Sequence, residues 1–78
     1  MKQGDIVRSK YSSRALWKVM EVYPNEFMWA KCVTKYRRHK TGDQQMLRKE
    51  DYVIEEDPEA WAEKYDLVLK YNAPKKRP

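Results

Sequence analysis

The chain has 78 residues, of which 41% are hydrophobic, 37% charged and 13% aromatic, with a formal net charge of +5. That is enough apolar matter for one small domain, and too much for a disordered chain. Two glycines leave no glycine-rich phosphate loop, one cysteine leaves no internal disulfide or thiolate metal cluster, and one histidine leaves no zinc-binding pair.

The first element in chain order is a turn at Gly4-Asp5 that launches a strand over residues 6–10. Residues 11–14 are polar and turn-prone. Residues 16–23, Leu-Trp-Lys-Val-Met-Glu-Val-Tyr, are rich in β-formers and read as a second strand. Pro24-Asn25 closes it with a turn. A third strand over residues 27–34 completes a hairpin. Its alternation puts Met28, Ala30 and Cys32 on one face and Phe27, Trp29, Lys31 and Val33 on the other. A narrow interior takes small residues, so Ala30 and Cys32 point in and Phe27 and Trp29 point out. Cys32, with no second thiol, reads as a small buried hydrophobe.

Residues 35–40, Lys-Tyr-Arg-Arg-His-Lys, form a basic run closed by Thr41-Gly42-Asp43. A fourth strand over 44–49, a tight turn at Glu50-Asp51-Tyr52 and a short fifth strand at Val53-Ile54 follow. Asp57-Pro58-Glu59 then gives a helix start, with Asp57 as N-cap and Pro58 where its missing N–H costs nothing. Trp61, Tyr65, Val68 and Leu69 recur at helical spacing, which predicts one helix from about Pro58 to Tyr71. Trp61 and Tyr65 are the expected lid over Phe27 and Trp29. Residues 73–78 are a basic tail. The expected organisation is a β-barrel over 1–56, a packed helix over 57–72 and the tail.

Charge is arranged in blocks. Residues 1–49 carry twelve Lys/Arg against four Asp/Glu, residues 50–66 carry eight Asp/Glu against Lys64 alone, and residues 67–78 carry four basic residues and no acidic one. Such asymmetry speaks of partners rather than of fold. No apolar stretch approaches the ~20 residues of a membrane span, and the first residues hold no apolar signal segment. The expectation is a soluble protein of the cytoplasm.

Five short strands and a terminal helix predict a mainly β fold, a small five-stranded barrel or strongly bent sheet. Gly4-Asp5-Ile6-Val7-Arg8, the Trp17–Val22 strand, the Trp29–Val33 strand and Glu50-Asp51-Tyr52-Val53-Ile54 together resemble the small SH3-like β-barrels. These include KOW-type domains and short phage and bacterial proteins opening "GDxVR". The likeness covers residues 4–54. It departs from KOW-type domains at Ser12-Ser13-Arg14, where they carry a glycine. The resemblance implies an SH3-like barrel. It also implies a phage-encoded accessory protein that binds host machinery in the host cytoplasm.

The residues themselves point to binding rather than catalysis. No carboxylate pair is set in an apolar stretch, and neither His39 nor Ser12 and Ser13 has a catalytic partner in view. Lys35, Arg37, Arg38 and Lys40 suit phosphates, and Tyr36 or Trp29 suits an unpaired base. Arg14 and Lys18 extend the cationic surface, as do Lys75, Lys76 and Arg77 in the tail. The expected function is a non-catalytic module that engages nucleic acid (DNA or RNA) or a nucleic-acid-processing complex, with no cofactor, no metal, no membrane and no small-molecule substrate. The alternative is a protein-binding inhibitor or adaptor of a host protein, using the aromatic face and the acidic helix.

Overall fold

The structure is a computed structural model and describes residues 1–35 and 42–70. Among the described residues seven strands appear: β1 (Ile6–Ser9), β2 (Leu16–Val22), β3 (Phe27–Cys32), β4 (Thr34–Lys35), β5 (Gln44–Arg48), β6 (Tyr52–Ile54) and β7 (Val68–Leu69). A 3-10 turn, Lys49–Asp51, joins β5 to β6, and helix α1 spans Pro58–Lys64. The fold is mainly β. Five strands form one antiparallel sheet in the order β5-β3-β2-β1-β6, so β5 and β6 are its two edges. A second sheet pairs β4 with β7.

The register follows from turn chemistry and burial. In the β2–β3 hairpin, Asn25 Oδ1 accepts from the Phe27 N–H at 2.9 Å, which holds the turn that Pro24-Asn25 predicts. Lys49 Nζ caps the same turn, donating to the carbonyls of Tyr23 (2.5 Å) and Asn25 (2.7 Å). Between Val19 and Glu21 the pairing slips, leaving Met20 as an extra residue that bends β2.

One face of the sheet holds the core: Val7, Trp17, Val19, Met28, Ala30, Cys32 and Leu47, with Ala15 beside them and Val22 and Tyr52 packed against them. Met28, Ala30 and Cys32 alternate into it as expected. Cys32 is fully buried, and its Sγ donates to the Thr34 carbonyl at 3.2 Å. Burial pushes the thiol above its ordinary pKa, so it stays neutral and a poor nucleophile.

The predicted helix is too long. It ends at Lys64, and Val68 and Leu69 leave it to pair with Lys35 and Thr34. The reason is a Schellman closure. Asp66 takes a left-handed conformation (φ 55°), its N–H donates to the Glu63 carbonyl, and the Leu67 N–H reaches the Ala62 carbonyl at 2.7 Å. The chain then extends, and Lys70 N–H donates to the Val33 carbonyl. Helical spacing at Val68 and Leu69 therefore carries strand residues. The helix start is as read: Asp57 Oδ1 accepts from the Ala60 N–H at 3.1 Å, with Pro58 first in the helix. The turn expected at 50–52 is the 3-10 turn, with Tyr52 already in β6.

A candidate nucleic-acid interface on the outer sheet face

The face opposite the core divides in two. At the β1 end, α1 lies against it through two cation–aromatic stacks. Arg8 Cζ sits 4.6 Å from the Trp61 ring centroid, and Arg14 Cζ sits 4.4 Å from that of Tyr65. The two rings meet at 4.5 Å, tilted by 57°. Trp61 Nε1 donates to the Arg14 carbonyl at 2.9 Å, and Arg8 Nε pairs with Glu55 Oε1 at 3.0 Å. Trp61 and Tyr65 thus meet Arg8 and Arg14. The expected lid over Phe27 and Trp29 is not what these contacts make, because the helix ends one turn past Trp61 and β7 turns its continuation toward β4.

Toward β3 and β5, no such stack forms around Trp29 among the described residues. The pairings set residues side by side in rows: Lys18 opposite Lys31, Lys31 opposite Gln44, Glu21 opposite Trp29, Trp29 opposite Met46, and Phe27 opposite Arg48. Trp29 is half-buried, and its Nε1 donates to Gln44 Oε1 at 2.7 Å. Met46 is half exposed, and Met20 beside the bulge is also open. Arg48 leans over Phe27, 5.6 Å from its ring centroid, and reaches Glu50 at 3.3 Å. Among the described residues neither Lys18 nor Lys31 forms an ion pair. Glu21, the acid on this face, turns to Tyr23. Desolvation first, and then a hydrogen bond to the Glu21 carboxylate, raise the Tyr23 hydroxyl pKa.

Two like charges set directly opposite each other in a ladder repel and cost stability. A polyanion laid between them removes that repulsion. Beside them is an indole held in place at one edge by an amide. The arrangement offers cations and a stacking surface side by side.

Of the residues expected to form the site, Lys18 and Trp29 come together here. Lys35 is exposed on β4 opposite Val68, in the second sheet. Arg14 is exposed but engaged by Tyr65. Tyr36, Arg37, Arg38 and Lys40 lie outside the described residues, as do Lys75, Lys76 and Arg77. Lys31, Gln44 and Met46 were not expected in the site. Strand alternation already put Lys31 beside Trp29; what was missing was the register of β5. That register is set where the Cys32 N–H donates to the Asp43 carbonyl and the Gly42 N–H to the Cys32 carbonyl, a closure between residues that are not near neighbours in sequence. Among the described residues, no group of three or more His, Cys, Asp or Glu is placed to hold a metal, and no helix is long and apolar enough to cross a membrane.

No family model, no curated protein and no solved structure matches the chain.

Proposed function

We propose that this protein is a non-catalytic binding module of the small SH3-like barrel type that engages nucleic acid. The barrel reading draws on the strand order, on the single core cluster, and on the 3-10 turn that links the two edge strands β5 and β6. The functional reading is carried by one observation. Lys18 and Lys31 face each other without an acidic partner among the described residues, next to the half-buried Trp29. Lys35 and the basic run that follows it in sequence add to the same sign of charge. The alternative, docking on a host protein through the aromatic face and the acidic helix, is less favoured: Trp61 and Tyr65 of the helix region already stack on the protein's own arginines.

The test is a titration with fluorescent oligonucleotides at several salt concentrations. Each phosphate contact adds about 0.7 to the slope of log K against log salt for a single strand, and about 0.9 for a duplex. Lys18→Gln with Lys31→Gln is expected to lower that slope by about 1.4 to 1.8. Absence of binding at low salt, or a slope the double variant leaves unchanged, overturns the proposal.

A further inference from the structure

Resting on that reading, we infer that the bound polymer is single-stranded, with an unpaired base stacked on Trp29 and the adjoining phosphates on Lys18 and Lys31. Three observations carry this. Trp29 lies on β3, an interior strand flanked by β2 and β5, so its ring belongs to a sheet surface rather than to a projecting element. A duplex offers the flat faces of its bases to nothing outside its own stack, and its groove edges are reached by helices or ribbons that enter them. A single strand offers a π-face at every base, which a sheet-borne aromatic meets directly.

The neighbours of Trp29 fit the same occupant. Met46 opposite it and Met20 across the bulge give the base apolar walls. Lys31 lies two residues along the same strand, about 7 Å away on the same face, and Lys18 stands opposite Lys31. A nucleotide with its base on the indole therefore has its phosphate within reach of both amines. Gln44, by holding the indole N–H, fixes the ring before the base arrives, so less order has to be imposed on binding. Glu21, paired opposite Trp29 on β2, repels a phosphate on that side, so the adjoining phosphates fall toward Lys31 and Lys18.

The experiment measures the affinity of the full chain for a fifteen-residue oligothymidine and for a duplex of equal length at low salt. It also follows the three tryptophan indole N–H resonances by NMR during the titration. The expected result is at least tenfold tighter binding of the single strand. Trp29→Leu is expected to weaken the single-strand complex about tenfold, close to 1.4 kcal/mol, and to leave duplex affinity unchanged. Trp29→Phe, which retains a ring, is expected to restore most of the loss. The Trp29 indole resonance of the unsubstituted protein is expected to move while that of the buried Trp17 does not, a readout that needs no variant to fold. Equal affinity for both polymers, or a Trp29 resonance that stays still while binding saturates, overturns the inference and leaves the nucleic-acid reading standing. Failure of both polymers to bind overturns that reading as well.

Discussion

The two ends of the outer sheet face are built from the same materials and use them differently. At the β1 end, Arg8 and Arg14 are stacked on Trp61 and Tyr65, and Arg8 is also paired with Glu55. Around β3, Lys18 and Lys31 stand beside Trp29 without such partners among the described residues. Cation and aromatic hold the helix to the sheet at one end and, on the proposed reading, meet a bound strand at the other. The choice of cation fits: a planar guanidinium packs flat on a ring, whereas an ammonium is a hydrated point charge suited to a mobile phosphate.

Leu16 should separate the two ends most strongly. It is fully buried, on the strand face opposite Trp17, with its N–H bonded to the Thr34 hydroxyl. Leu16→Ala is expected to cost about 2–5 kcal/mol in urea unfolding, whereas Met46→Ala on the open end should stay within about 0.5 kcal/mol. Equal costs would mean that the open end is as buried as the covered one. Next in size, Arg8→Ala removes a stack and a part-exposed ion pair, for about 1–2 kcal/mol.

Lys31→Glu is expected to go the other way. It replaces repulsion across β2 and β3 with attraction and should add a few tenths of a kcal/mol while abolishing oligonucleotide binding. Loss of both stability and binding would make Lys31 a structural residue.

The smallest expected effect is on pH dependence. Burial raises the pKa of Cys32 and of Tyr52, and partial desolvation with the Glu21 contact raises that of Tyr23. A raised folded pKa means that the unfolded chain loses these protons first. Stability is then full below the ordinary thiol pKa near 8.5 and falls as pH rises through 9 and 10. Cys32→Ala should remove the earliest part of that fall in thermal unfolding followed from pH 7 to 10.

Much of the main sheet was legible because its signals are local. Asn25 and Pro24 mark a turn, Asp57 and Pro58 mark a helix start, and small residues at 30 and 32 mark the inside of β3. The helix end was not legible. Asp66 replaces the glycine that usually announces a left-handed residue, and Val68 and Leu69 keep helical spacing by coincidence. The site was half legible for a similar reason. Lys18 and Trp29 were read as site residues and alternation along β3 adds Lys31, but Gln44 and Met46 depend on the β3–β5 register, which no short turn fixes. The aromatic residues of the helix looked like a cover for Trp29 because one sequence does not say which arginines will claim them.

The small sheet of β4 and β7 has a consequence for the order in which the molecule folds. Every strand of the main sheet lies within residues 6–54, so that body can assemble before β7 joins it. The stretch at 34–35 must wait for residues 68–69, the last strand described, before its backbone is paired. A free chain cut between those points would carry every strand of the main sheet but leave the backbone at 34–35 without its β7 partner.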